Sequence, residues 1–196
     1  MIKLLIGKSG AGKDTLLKLL VKEGYKPIIS YTTRPMREGE KEGIDYFFVS
    51  AEEFEKLKDG RLTEYRSYNT LFNGDPAVWS YGTPIVDPKE DLVGIVDIKA
   101  ALSFIDCYGP ADIDVTYIYV NDEERERRAN LRGTFSKEEW DRRLADDKNK
   151  FSYKAISNLI RRLGKPITAV DNNGKTLVWR ELGYFKKGED HDINKM

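Results

Sequence analysis

The chain has 196 residues, with 33 basic and 33 acidic side chains and a single cysteine, Cys107. That length accommodates one domain, or one core with an inserted lobe, around a sizeable hydrophobic interior. The balanced charge argues against a nonspecific nucleic-acid binder, the lone cysteine excludes an internal disulfide and fits a reducing compartment, and no apolar run approaches the roughly 18 residues of a membrane span.

Ile2 to Ile6 is a short apolar run closed by Gly7, the pattern of a buried strand. No signal-peptide layout precedes it, so a soluble, cytoplasmic protein is expected. Apolar residues at Leu16, Leu17, Leu19, Leu20 and Val21 predict a buried helix from Thr15 to Glu23, stopped by Gly24. Pro27 to Tyr31 reads as a second short strand. From Thr32 to about Pro84 the chain becomes rich in Gly, Tyr and charge, with strand-like DYFFVS at 45–50 and a helix over Ala51 to Lys58. That stretch reads as an inserted lobe. Leu92 to Asp97 and Asp114 to Val120 return to strand character. Charged helical segments follow at Asp122–Leu131 and Lys137–Lys150, then a helix over Phe151–Leu163 that Gly164 and Pro166 break. Ile167 to Val170 is a last buried strand, and the tail KKGEDHDINKM is charged and expected to fray. Strands alternating with helices predict an α/β fold with a mostly parallel sheet.

The first strand runs into GKSGAGKDTL, Gly7 to Leu16. This is nearly G-x-x-x-x-G-K-[ST], and strand, glycine loop and helix are the context such a phosphate loop needs. Glycines let backbone N–H groups turn onto the phosphates, and the helix N-terminus adds its positive dipole end. Gly7, Ser9, Gly10, Ala11, Gly12, Lys13, Asp14 and Thr15 are the candidate residues for a nucleoside triphosphate such as ATP, with Lys13 reaching the β- and γ-phosphates. Asp14 stands where a metal-binding hydroxyl is expected, and Thr15 follows one position late. Asp14 either engages Mg²⁺, directly or through water, or turns away to pair with a cation such as Arg34. The loop alone does not separate kinases from GTPases or ATPases. No separate guanine-reading N-K-x-D supports a GTPase.

SYTTRPMREGEKEGIDYFFVS, residues 30–50, offers two arginines three apart and a tyrosine nine further on. Arginine forks match phosphate oxygens bidentately, although an isolated R-x-x-R is more often a solvated basic turn. The run closely resembles the acceptor-binding signature of guanylate kinases, S-x-T-T-R-x-x-R-x-G-E-x-x-G-x-D-Y-x-F-V-S. The resemblance implies that Ser30, Arg34, Arg37 and Tyr46 hold the phosphate of GMP. GRLTEY at 60–65 is similar to the family's G-x-F-x-E-W, which places Glu64 on guanine. A carboxylate accepts from both guanine N1–H and N2–H. SYGTP at 80–84 resembles the family's Y-G-T/S, implying Tyr81 at the acceptor phosphate and Thr83 at the base. Leu92–Ala100 resembles a strand ending in an acidic pair, of which only Asp97 survives; Ile95 holds the first position. Asp97 acts there through water on Mg²⁺, on arginine orientation, or as a cap after the strand.

ERERRANLRGTFSKEEWDRRL, 124–144, read alone, is a charged helical pair with a solvated face. It resembles the family's lid, R-L-x-x-R-G-T followed by a second R-L. By that match Arg128, Arg132 and Arg143 close on the ATP phosphates, with Arg142 as the neighbour to Arg143. Asn121-Asp122 stands where the family has Pro-Pro, and both residue types cap helices. TAVDNNG at 168–174 resembles the turn where the family sets an Asn beside adenine, making Asn172 or Asn173 the candidate.

The resemblance spans roughly residues 4–173 and implies a P-loop NTPase three-layer core with an inserted NMP-binding lobe and a helical lid. The expected division is a core of 1–29, 85–120 and 148–186, a GMP-binding lobe of 30–84, a lid of 121–147 and a charged tail of 187–196. The implied activity is transfer of the γ-phosphoryl of ATP to GMP or dGMP with Mg²⁺, with Asp14, Thr15 and Asp97 toward the metal and Lys13, Arg128, Arg132 and Arg143 as the catalytic cations. Its partners are then these nucleotides, with no nucleic acid and no membrane. The alternatives are a kinase for another nucleoside monophosphate and an inactive binding module, though such modules lose the loop and lid cations retained here. Sixteen residues separate Glu64 from Tyr81, more than the family's usual spacing. The extra segment, about 68–79, is expected to bring aromatics to the base pocket.

Overall fold

The computed structural model describes residues 1–72, 75–131, 137–174 and 177–182. In chain order the first elements are β1 (Ile2–Ile6), α1 (Lys13–Lys22), β2 (Lys26–Pro27), β3 (Tyr31–Thr32), β4 (Phe47–Phe48) and α2 (Ala51–Lys58). Next come β5 (Leu62–Phe72), β6 (Asp75–Pro84), β7 (Leu92–Ile95), α3 (Ile98–Tyr108) and β8 (Ile113–Tyr119). The chain continues with α4 (Asp122–Asn130), α5 (Lys137–Lys150), α6 (Tyr153–Leu163), β9 (Ile167–Asp171) and β10 (Val178–Leu182).

A six-stranded sheet in the order β10-β9-β8-β1-β7-β2 forms the centre. Its pairs are parallel except β10 with β9. A strand covered on both faces reads as a continuous apolar run, which is why MIKLLIG looks as it does. Ile2, Leu4 and Ile6 face a cluster with Phe104 of α3 and Ile156, Leu159, Ile160 and Leu163 of α6. Leu5 points the other way, onto Leu16 and Leu20 of α1. Three layers result. β1 lies between β7 and β8, so the loop leaving its C-terminal end opens where the strand order reverses, the crevice that ligands favour in such sheets.

A four-stranded sheet, β4-β3-β6-β5, builds the inserted lobe. Ser50 and Glu53 form a capping box that starts α2, and Phe54 is the buried anchor of that helix, contributing about 1.5–3 kcal/mol. Gly82 is needed beneath it: a Cβ there would stand 2.6 Å from Leu62 Cδ1 and 3.1 Å from Phe54 Cζ. Tyr108, at the end of α3, ties the lobe to the core. Its hydroxyl accepts from Val86 N at 2.8 Å and lies 3.0 Å from Thr63 Oγ1.

Several boundaries differ from the sequence reading. Pro27–Tyr31 is not one strand; the chain leaves the central sheet after Pro27 and enters the lobe sheet at Tyr31. DYFFVS contributes only Phe47 and Phe48 to a strand. In the extra segment near 68–79 the described residues belong to β5 and β6, with Tyr68 opposite Trp79 and Phe72 opposite Asp75. Helix α3 and strand β10 were not foreseen at all. The helix over 151–163 starts only at Tyr153, where the Ser152 hydroxyl accepts from Ala155 N. The tail expected to fray lies outside the described residues.

Candidate functional site

The loop between β1 and α1 is held from three sides. Gly12, at φ 94°, turns the chain into α1, and a Cβ there would stand 2.5 Å from Asn172 Nδ2. Lys13 Nζ donates back to the carbonyls of Gly7 at 2.7 Å and Lys8 at 3.0 Å. Asn172 Nδ2 donates to Ala11 O at 2.9 Å, and Arg128 Nη2 donates to Asn172 O at 2.6 Å. The structure thus brings three predicted residues, Lys13, Arg128 and Asn172, to one loop. Asn173 faces elsewhere, accepting from Asn121 N. Asp14 and Thr15 are exposed in the first turn of α1. Arg34, the cation suggested as an alternative partner for Asp14, is instead paired with Glu40.

The third support is one that sequence reasoning missed. Arg125, read as part of a solvated helical face, is fully buried. Its Nε donates to Ser9 O at 2.6 Å, its Nη2 pairs with Asp147, and Asp147 Oδ2 accepts from Ser9 N at 3.0 Å. The guanidinium also pairs with Asp122 and lies 5.3 Å from the Trp140 ring centroid. The local signal available was Asp122 three residues before Arg125; the decisive partner, Asp147, is 22 residues away. Arg143 is half-buried on α5 and Arg142 is exposed. Arg132 lies outside the described residues.

The lobe carries two polar groups. In the first, Arg34 is 3% exposed and donates through Nη1 and Nη2 to Glu40 at 3.0 and 2.8 Å. Glu40 also accepts from Arg37 N at 2.8 Å. The Arg34 hydrogen bond holds the Glu40 carboxyl below its ordinary range. The guanidinium lies 5.5 Å from the ring centroid of Tyr46, and Tyr46 and Tyr81 meet edge-on at 6.0 Å. Burial pushes the Tyr46 hydroxyl above its ordinary pKa. The Arg37 side chain is exposed.

In the second group Thr83 Oγ1 donates to Glu64 Oε1 at 2.7 Å and lies 3.4 Å from Ser30 Oγ. Asp97 Oδ1 caps α3 by accepting from Ala100 N at 2.9 Å. Between Glu64 and Asp97 stands Arg66, which sequence reading passed over, at 3.5 and 3.3 Å. Of the aromatics in the extended hairpin, Tyr68 meets Tyr81 edge-on at 6.0 Å and sits 5.5 Å from Lys150 Nζ. Phe72 and Trp79 pack on each other at 6.1 Å.

A glycine loop joining strand to helix at the switch point of a parallel sheet, with a second sheet inserted beside it, defines a P-loop α/β fold. Residues 2–77 match the family model described as guanylate kinase. The chain is 34% identical over 149 residues to the guanylate kinase of Oceanobacillus iheyensis, covering 74% of this chain and 71% of that one. It is 31% identical over 176 residues to the guanylate kinase of Fusobacterium nucleatum subsp. nucleatum, covering 86% and 94%. A crystal structure of guanylate kinase from Anaplasma phagocytophilum is a more distant likeness, at 24% identity and a TM-score of 0.48 over 82% of this chain and 81% of that chain. The chain belongs to the guanylate kinase family.

Proposed function

We propose that this protein transfers the γ-phosphoryl group of ATP to GMP, with dGMP as an alternative acceptor, giving ADP and the nucleoside diphosphate. The observation that carries this reading is the pairing of two half-sites in one chain. One is a phosphate loop bearing Lys13, Arg128 and Asn172. The other is a lobe with a buried Arg34–Glu40 fork beside Tyr46 and Tyr81, and a Glu64 carboxylate oriented by Thr83. Ser30, Arg34, Arg37, Tyr46 and Tyr81 take the acceptor phosphate, while Glu64 and Thr83 take the base.

An acceptor phosphate oxygen forms the new bond to the γ-phosphorus as the bond to the β-phosphate oxygen breaks, and ADP leaves. No covalent enzyme intermediate forms. Such a transfer asks a protein chiefly for positioning and for cations facing the equatorial oxygens. Lys13 supplies one by moving from the Gly7 and Lys8 carbonyls onto the β- and γ-phosphates. Arg128, Arg132 and Arg143 supply the rest when the lid of 121–147 closes, and closure of the 30–84 lobe excludes water. Residues 1–29, 85–120 and 148–186 stay as the fixed core.

Mg²⁺ binds through one or two carboxylates together with substrate phosphates rather than in a protein cage. Among the described residues no cluster of three or more His, Cys, Asp or Glu side chains forms such a cage. Exposed Asp14 and the Thr15 hydroxyl fit the shared mode. They would hold Mg²⁺ with the ATP phosphates, where the metal supplies charge neutralisation. Asp97 would join only through water, since one oxygen caps α3 and the other faces Arg66. No helix among the described residues is long and apolar enough to cross a membrane, and a cytoplasmic setting with nucleotides as the partners accords with the reading. Chromatography of a mixture of protein, ATP, Mg²⁺ and GMP tests it: GDP and ADP should form in equal amounts, and ADP without GDP would refute it.

A further inference from the structure

Arg66 lies on β5 two residues after Glu64, so the two side chains share one face of the lobe sheet. Its Nη1 stands 3.5 Å from Glu64 Oε2 and 3.3 Å from Asp97 Oδ2, and the side chain is 31% exposed. Its Nε is buried and has no hydrogen-bond partner among the described residues. A buried donor without an acceptor is destabilising, and native interiors seldom carry one without a reason. A ligand that brings an acceptor to this place removes the defect.

We infer that Arg66 is a specificity-determining residue that donates to O6 of the purine while Glu64 accepts from N1–H and N2–H. The inference rests on the GMP reading above. The pairing edge of guanine runs O6, N1–H, N2–H: one acceptor, then two donors. A carboxylate offers acceptors only and a guanidinium donors only, and here they stand side by side. Thr83 fixes Glu64 from one side through its hydroxyl. Asp97 draws Arg66 from the other side, which keeps the guanidinium from being wholly spent on Glu64. Adenine reverses the first two positions, with an N6–H donor and an N1 acceptor. It sets donor against donor at Arg66 and acceptor against acceptor at Glu64. Sites that leave buried polar groups mispaired reject such analogues strongly.

The test compares kcat/KM for GMP, IMP and AMP in the wild-type protein, Arg66→Met and Arg66→Lys, with thermal unfolding confirming that each variant folds. The hypoxanthine of IMP keeps O6 and N1–H but lacks the N2 amino group. Arg66→Met should lower kcat/KM for GMP and IMP alike by about tenfold or more, equivalent to about 1.4 kcal/mol, mainly through KM, while AMP, freed of the donor facing its N6–H, is not lowered. Arg66→Lys keeps a countercharge for the two acids but lacks Nε–H; it should show the same pattern at smaller amplitude, and it carries the test if the Met variant does not fold. A residue that merely steadies Glu64 would cost GMP more than IMP, because the carboxylate is what meets the N2 amino group. That outcome overturns the inference, as do equal losses for all three acceptors or no loss at all. A wild-type protein active on none of the three refutes the GMP reading and this role with it.

Discussion

Arg125 and Asp147 together hold both backbone poles of Ser9: the guanidinium takes its carbonyl and the carboxylate its amide. The pair joins α4 and α5 to the phosphate loop in a buried setting. Removing one partner from a buried pair leaves an uncompensated charge, which costs about 3–5 kcal/mol. Asp147→Leu should therefore lower the unfolding free energy in urea by about 3 kcal/mol, the low end, because Asp122 still faces Arg125. The double variant Arg125→Met/Asp147→Leu should recover more than half of that loss. Single losses that simply add would show the two residues to be uncoupled.

Arg34 is the buried member of the predicted acceptor-phosphate group. Arg34→Ala is expected to raise the KM for GMP sharply while leaving the KM for ATP near its parent value. Each charge-assisted bond lost is worth about 1.5–3 kcal/mol. Steady-state kinetics with each substrate varied in turn decides the matter, and an unchanged GMP KM removes Arg34 from the phosphate site.

The same ion pair sets a pH dependence. The Arg34 hydrogen bond lowers the Glu40 carboxyl from its ordinary 4.5 in the folded protein. A depressed carboxylate stabilises the fold fully above its unfolded pKa and loses that contribution as pH falls through the folded value. The melting temperature of the parent should exceed that of Glu40→Gln at neutral pH. The gap should shrink steadily below about pH 4.5. A gap that stays constant from neutral to acid would assign Glu40 no titrating role in stability.

Asp14 adds an anion beside the phosphates, worth about 4 kcal/mol of repulsion at about 4 Å with an effective dielectric near 20, against about 0.3–1 kcal/mol gained at the helix N-terminus. The repulsion wins unless a cation intervenes. ATP affinity in the parent should depend steeply on free Mg²⁺, and Asp14→Ala should flatten that dependence. Titrations with and without Mg²⁺ read both; an identical Mg²⁺ dependence in the two proteins makes Asp14 a helix-end residue only.

Features with a local cause were legible in the sequence. β1, its glycine loop and α1 announce themselves through an apolar run, glycines and a following helix. The runs at 30–50, 60–65 and 80–84 carry Ser30, Arg34, Tyr46, Glu64, Tyr81 and Thr83, and the lobe brings Ser30, Thr83 and Glu64 into one group and Arg34, Tyr46 and Tyr81 into another. What stayed hidden depends on partners distant in the chain. The 11-residue β5 and the 10-residue β6 become a hairpin only by pairing with each other, so about 68–79 read only as a segment in excess of the family's spacing. α3, IKAALSFIDCY, is the exception: it carries a one-sided apolar stripe at Ile98, Ala101, Phe104 and Ile105, with Lys99, Asp106 and Cys107 exposed, and the reading passed over it. Arg125 sits in a run of charges that resembles a wet helix face, and only the tertiary approach of Asp147 makes it a core residue. Arg66 is equally silent in sequence, since its meaning comes from Asp97, which α3 delivers from the other sheet.

On the proposed function, this chain phosphorylates GMP and selects it through Glu64. A coupled ADP-release assay with ATP and Mg²⁺, run over GMP, dGMP, AMP, CMP and UMP for the parent and Glu64→Gln, measures both parts at once. The parent should use GMP or dGMP far better than the other three. Glu64→Gln replaces an acceptor by a donor facing a donor, so the GMP-over-AMP ratio of kcat/KM should fall at least about tenfold, or roughly 1.4 kcal/mol. A parent that prefers a non-guanine monophosphate, or a Glu64→Gln ratio equal to the parent's, would contradict the account.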